Sequence, residues 1–136
     1  MDPLSITASI IAILQLTSKV IEYLGDVKDA PKERARLVTE ASHINGLLLD
    51  LASHLAEGHL KELWYNTIKS LAAPNGALDQ YKADLEKFQR KVVASGAGKV
   101  MHSLVWKFNK AEVDGMLSRM ERLKSLILIA LGMDHQ

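Results

Sequence analysis

From Pro3 to Ser18 the chain has no charged side chain, and the middle of that stretch reads Ile10-Ile11-Ala12-Ile13-Leu14. Asp2 and Pro3 mark a helix start, because proline's missing N–H costs nothing in the first turn. Wound as a helix to Leu24, the segment carries two apolar stripes. Ile6, Ile10, Ile13, Val20 and Leu24 form one. Leu4, Ile11, Leu14 and Ile21 form the other, which leaves Ser5, Ser9, Gln15 and Lys19 for water. A helix this apolar is the buried centre of a bundle or a membrane segment. About 22 residues at roughly 1.5 Å each give about 33 Å, enough to cross a bilayer core of about 30 Å. We read it as a core helix of the resting protein that can become a membrane segment.

Helical spacing continues down the chain. Gly25 suits a helix end, Asp26 to Pro31 reads as a polar turn, and Pro31 suits the start of a second helix with Lys32 to Arg36 solvated. Leu37, Ala41, Ile44, Leu48, Leu51 and Leu55 then recur at steps of three and four, a clean helical stripe. Gly46 inside that helix predicts a close helix crossing, and Gly58 ends it. Leu60 to Leu71 predicts a short third helix with Leu60, Leu63, Trp64, Ile68 and Leu71 inward. Ala73 to Gly76 reads as a turn, with Asn75 as the expected N-cap of a fourth helix and Asp79 at its positive end. That helix has Leu78, Tyr81, Leu85, Phe88 and Val92 on its apolar face. Ala94 to Lys99 is loop-like, and Leu104 to Phe108 predicts about one apolar turn. Asn109 with Glu112 forms a capping-box pair that opens a last helix carrying Val113, Met116, Met120, Leu123, Ile127 and Leu131. Its end, Leu126 to Leu131, is apolar all round, so it is expected to pack against the first helix, and Gly132 stops it. No segment alternates as a strand does, and no solenoid period is visible. The fold class is therefore all-α: an antiparallel bundle of four main helices plus one or two short ones, with the N-terminal helix in the core.

Composition narrows the function. The chain has 136 residues, 48% of them hydrophobic, which suits one globular domain spanning 1–136. Aromatics are 5%, so the core is aliphatic. With no cysteine, disulfides, zinc–thiolate sites and thiol catalysis are excluded, which fits an intracellular protein. A net charge of +1 says nothing about nucleic acid. Asp2 is the only early charge, so the start does not read as a secretory signal, and it occupies the place where myristoylation needs glycine.

Chemistry-bearing motifs are missing. Gly98-Lys99 is not a P-loop, since Val93 and Val100 hold the places of its first glycine and its Ser/Thr. His43, His54, His59, His102 and His135 have no metal-ligand spacing, and no serine sits in a GxSxG context. Glu33, Glu40, Asp84 and Glu86 read as ordinary solvated charges. We expect no enzyme, no cofactor and no metal. One charge feature stands out: Lys87, Arg90, Lys91, Lys99, Lys107 and Lys110 fall in a run without acid that also holds Trp106 and Phe108. The run suits an anionic membrane surface, where each basic group is worth about 1 kcal/mol. The same run can be a basic loop with Trp106 as a core anchor. Nucleic acid is the least favoured partner.

The opening Asp2-Pro3-Leu4-Ser5-Ile6-Thr7-Ala8-Ser9-Ile10-Ile11-Ala12-Ile13-Leu14-Gln15-Leu16 resembles the start of HeLo-like N-terminal domains. These head fungal NOD-like (STAND) receptors, ahead of a nucleotide-binding NACHT or NB-ARC module and ankyrin or other repeats. Val20 to Leu24, Asp29 to Arg34, Trp106-Lys107-Phe108 and Arg122 to Leu126 continue the resemblance in order across nearly the whole chain. It implies a bundle related to HeLo domains, to the four-helix domain of the necroptosis executioner MLKL and to plant coiled-coil resistance-protein domains. It also implies an executioner of programmed cell death in heterokaryon incompatibility or innate immunity. The domain would rest in the cytoplasm and, when activated, oligomerise at the plasma membrane and permeabilise it. By position the inserting side chains are Leu4, Ile6, Ile10, Ile11, Ile13 and Leu14. The acid-free basic run supplies the candidate contacts to anionic lipid: Lys87, Arg90, Lys91, Lys99, Trp106, Lys107 and Lys110. An acidic residue near the first helix matters in related domains, and Asp2 or Glu22 would hold that place. The resemblance further implies that 1–136 is the N-terminal piece of a larger receptor, with nucleotide-binding and repeat domains downstream. The competing reading is a non-enzymatic interaction or autoinhibitory module of the same receptor.

Overall fold

The computed structural model describes residues 3–26, 32–57, 62–94 and 108–134. They form five helices: α1 (Pro3–Asp26), α2 (Glu33–Glu57), α3 (Glu62–Leu71), α4 (Ala77–Ala94) and α5 (Lys110–Asp134). The described residues contain no strand. The fold is all-helical with an apolar N-terminal helix, as the spacing predicts. The turn expected from Asp26 to Pro31 and the apolar turn expected from Leu104 lie largely outside the described residues. α1 and α5 run past Gly25 and Gly132, the glycines expected to end them, to Asp26 and Asp134.

Each helix buries most of the described part of the stripe that its spacing marks; Leu131 is half-buried, and Leu60 and the side chains of Leu63 and Val92 lie outside the described residues. Ile6, Ile10, Ile13, Val20 and Leu24 of α1 are buried, and so are Leu37, Ala41, Ile44, Leu48, Leu51 and Leu55 of α2. Trp64, Ile68 and Leu71 of α3 join the same core, with Leu78, Tyr81, Leu85 and Phe88 of α4. Val113, Met116, Met120, Leu123 and Ile127 complete it from α5. Phe108, just before α5, is also core: its ring centroid lies 4.2 Å from that of Phe88.

Which helix packs on which differs from expectation. α1 lies against α2 and α4, while α5 lies against α2, α4 and α3. The expected packing of α1 on the apolar end of α5 is not among the main helix contacts: Val20 and Leu24 line a narrow gap with Met116 and Met120 of α5, and the apolar end of α5 leaves Leu128 and Ile129 exposed. Apolarity on all sides of a helix shows that a face must be covered; it does not name the covering helix. Gly46 marks no close crossing either, since a side chain there would meet nothing within 4 Å.

Two local motifs set helix starts. At α5, Asn109 Oδ1 accepts from the Glu112 N–H at 2.8 Å, and Glu112 Oε1 accepts from the Asn109 N–H at 3.2 Å. This is the expected capping box. At α4 the N-cap is Gly76 and not Asn75, since the Gly76 carbonyl accepts the first helical bond, from Gln80. Asn75 stands one place earlier with φ 61°, in the left-handed region that asparagine tolerates better than most residues. Asp79 Oδ2 accepts the Asn75 N–H at 2.9 Å. A Cβ on Gly76 would sit 2.9 Å from the Ala73 carbonyl oxygen, so the tight turn admits only glycine there.

Candidate functional site

The residues singled out for membrane insertion lie on α1. Leu4–Gly25 spans 22 residues and is long and apolar enough, by length and composition, to cross a membrane. The structure divides its apolar side chains between two environments. Ile6, Ile10 and Ile13 are buried, whereas Leu4 and Ile11 are 82% and 46% exposed. Leu14 and Ile21 pack at the edge of the core. The second apolar stripe is therefore largely at the surface, beside Ser5, Ser9, Gln15 and Lys19, all exposed as expected. A groove of about 340 Å³ runs between this half of α1 and the start of α4, past Ala8, Ser9, Ala12, Pro74, Leu78 and Lys82.

The buried stripe of α1 has a gap in the spacing between Ile13 and Val20, and Thr17 fills it. Thr17 is fully buried. Its Oγ1 donates to the Ile13 carbonyl at 2.7 Å and lies 3.3 Å from the Tyr81 hydroxyl. Burial pushes the Tyr81 phenol up to about 12, against the Thr17 hydroxyl, which opposes the rise, and with the nearby Asp84 carboxylate adding to it. Spacing alone marks the place: Thr17 is a polar residue at the step where the stripe needs a member.

α5 is fastened differently, by charge. Arg119 donates to both carboxylate oxygens of Asp84 on α4, at 2.7 and 2.8 Å. Asp84 therefore holds the guanidinium above its usual range. Lys87 of α4 pairs with Glu112 at 2.8 Å. Lys124 bridges Glu40 of α2 and Glu121 of its own helix, at 2.9 and 3.0 Å. Those partners raise the ammonium, Glu40 most, and Lys124 lowers the Glu121 carboxyl. Glu40 and Asp84 are thus interhelical anchors and not the solvated charges expected. Their partners, Lys124 and Arg119, are too far away in sequence for local spacing to reveal.

The residues assigned to anionic lipid are only partly brought together. Lys87 is engaged by Glu112 and so is not a free basic group. Arg90 and Lys110 are exposed. Lys99, Trp106, Lys107 and the Lys91 side chain lie outside what the structure describes, as does Asp2. Glu22 is exposed on α1. Away from these residues, a cleft of about 530 Å³ opens between α3 and the second half of α5, past Thr67, Ser70, Leu71, Arg122, Leu126 and Ile129. Its lining mixes apolar and polar side chains. Set against family models, curated proteins and solved structures, the chain matches none of them.

Proposed function

We propose that this chain is a HeLo-like domain, the membrane-targeting cell-death effector of a fungal NLR-like receptor. In this reading α1, α2, α4 and α5 form a bundle whose long helices reverse direction in chain order, with α3 across one end. One observation fits that arrangement: Lys87–Glu112 and Asp84–Arg119 pair in reverse order along α4 and α5.

The observation that carries the functional reading is the division of α1. It is an apolar helix of membrane-spanning length, held by one stripe, with Leu4 and Ile11 already facing outward. Leaving the core exposes Ile6, Ile10, Ile13, Val20 and Leu24 to water, at about 1.5–3 kcal/mol per large side chain. A bilayer removes that cost, because hydrocarbon accepts those side chains and a helix satisfies its own backbone. Ser5, Ser9, Gln15 and Lys19 are what hydrocarbon disfavours. An oligomer turns them toward neighbouring helices or a water-filled centre. The resting domain is cytoplasmic, anionic lipid at the plasma membrane receives α1, and of the basic residues assigned to lipid Arg90 and Lys110 are exposed among those described.

Dye leakage from anionic and neutral vesicles tests this. Ile11→Glu is the informative variant, since Ile11 is 46% exposed and glutamate there leaves the resting core intact. Leakage by the unaltered domain and its loss in a folded Ile11→Glu variant are expected, with circular dichroism reporting the fold. Equal leakage by the two proteins removes α1 from the mechanism. The second reading, an interaction or autoinhibitory module, is favoured by the exposed pair Leu128 and Ile129 beside the α3–α5 cleft. A domain that leaves both vesicle types intact supports it.

A further inference from the structure

The basic residues of α5 between Met116 and Ile127 are Arg119, Arg122 and Lys124, and they are used unequally. Arg119 is taken up by Asp84, and Lys124 by Glu40 and Glu121. Arg122 is exposed, and among the described residues no hydrogen bond or ion pair engages it. Its neighbours three and four places away on the helix are Ser118, Arg119, Ser125 and Leu126, so no carboxylate shares its face of α5.

Arg122 lines the cleft of about 530 Å³ between α3 and α5. The same face of α5 continues into the cleft with Leu126 and Ile129. Ile129 stands about 10 Å beyond Arg122 along the axis, at roughly 1.5 Å per residue. α3 lines the cleft with Asn66 and Ser70, one turn apart, and with Leu71. The described lining holds no acidic residue, and Arg122 is its one charged side chain. A single cation at one end of an aliphatic track complements a ligand with one negative charge and a hydrocarbon tail. The volume falls within the range of about 300–1,000 Å³ that small-ligand sites occupy.

We propose that the α3–α5 cleft binds an amphipathic monoanion, a medium-chain fatty carboxylate, with its head on Arg122 and its tail along Leu126 and Ile129. The guanidinium offers a planar fork that matches the two oxygens of a carboxylate. Asn66 and Ser70 supply an amide and a hydroxyl, donors that bring no further charge. One cation balances one charge, which favours a carboxylate over a doubly charged phosphate ester. The tail covers Ile129, which is 57% exposed in the resting domain. None of the lining comes from α1, and the inference rests on neither reading of the function given above.

Titration of the isotope-labelled chain with decanoate, in lipid-free buffer and below the concentration at which the acid forms micelles, tests it through amide chemical shifts. Shifts should saturate and concentrate between Asn66 and Leu71 on α3 and between Arg122 and Ile129 on α5. Arg122→Ala should weaken binding roughly tenfold, the low end for a hydrogen bond to a charged group. Arg122→Lys, which keeps the charge and loses the fork, should recover only part of that. Lys32→Ala, at an exposed cation outside the cleft, should leave binding unchanged. Decanol, with the same tail and no charge, should bind the unaltered chain about as weakly as decanoate binds Arg122→Ala. Octanoate, shorter by two methylenes, should bind roughly tenfold more weakly than decanoate. Shifts centred on the exposed stripe of α1 at Leu4 and Ile11, decanol binding as tightly as decanoate, or unchanged binding in Arg122→Ala each overturn the site. Flotation with phosphatidylglycerol vesicles separates the two sources of such an anion. Release of the unaltered chain from the vesicles by decanoate assigns the cleft to a lipid's anion. Vesicle association indifferent to decanoate, with the cleft shifts intact, assigns it to the free acid.

Discussion

α1 and α5 are nearly equal in length, 24 and 25 residues, and each buries a stripe at steps of three and four. They differ in what directs their packing. α5 is stitched to α2 and α4 by Lys124, Arg119 and Glu112. α1 meets α2 and α4 mainly through aliphatic area, with the Thr17–Tyr81 bond at its middle. Apolar burial is non-directional and grows with area. It decides which face turns inward but leaves register loosely specified. A bidentate arginine–carboxylate pair adds geometry as well as attraction. The contrast makes α5 a helix held to its neighbours by directional charge pairs and α1 one whose described packing is mostly aliphatic.

The largest effects test whether both stripes are equally buried. Ile10→Ala on α1 and Leu123→Ala on α5 remove side chains of 0% exposure. Each should cost about 2–5 kcal/mol in urea unfolding. Leu4→Ala and Ile11→Ala, on the outward stripe of α1, should stay within about 0.5 kcal/mol. A loss as large as that of Ile10→Ala at either outward position would show that the stripe is covered and would erase the division of α1.

Alkaline pH acts on the α1 seam through Tyr81. Its folded-state value is raised from 10.0 to about 12, chiefly by burial. A raised value means the folded state resists losing the proton. The stability it contributes is therefore complete below pH 10 and is lost as pH climbs from 10 to about 12. A rise of that size corresponds to about 2–3 kcal/mol. Tyr81→Phe should flatten this part of the stability curve, measured by chemical denaturation at stepped pH. An unchanged slope in the phenylalanine variant would show that other groups cause the alkaline loss.

What could be read from the chain follows the same divide. Stripes such as Leu37 to Leu55, and the Asn109–Glu112 cap, depend on neighbours within a few residues, so spacing alone exposes them. Partner choice depends on contacts between distant residues. Lys124 meets Glu40 and Arg119 meets Asp84, and nothing local marks either pair, so Glu40 and Asp84 read as surface charges. For a similar reason the apolar end of α5 suggests a partner for α1 by composition, while the main contacts of α1 are with α2 and α4. For the membrane residues, the six inserting positions could be chosen by apolarity. Their division into covered and outward sets required the fold.

A smaller effect concerns the charged stitching. Arg119→Ala should cost about 1 kcal/mol, a value kept low because the Arg119 side chain is 41% exposed and solvent screens the pair. The loss should shrink in high salt. Equal loss at low and high salt would mean that Arg119 acts through packing alone.

The smallest effect tests how Arg119 reaches its partner. Gly115 lies inside α5, where glycine is about 1 kcal/mol worse than alanine. A Cβ at Gly115 would sit 3.3 Å from Arg119 Nη1, closer than most such contacts. The glycine thus leaves a lane for the guanidinium to lie along the helix and grip Asp84. Gly46 in α2 provides the control, with nothing within 4 Å of an added Cβ. Gly46→Ala should raise stability by nearly the full helix-propensity difference, about 1 kcal/mol. Gly115→Ala should gain clearly less, because the alanine methyl pushes the guanidinium away from the carboxylate. Once Arg119→Ala has removed the guanidinium, Gly115→Ala should recover the full gain. The coupling between the two changes should be about 0.5–1 kcal/mol, the size typical of residues in direct contact. If Gly115→Ala stabilises equally with and without Arg119, the lane is incidental and the grip on Asp84 does not depend on it.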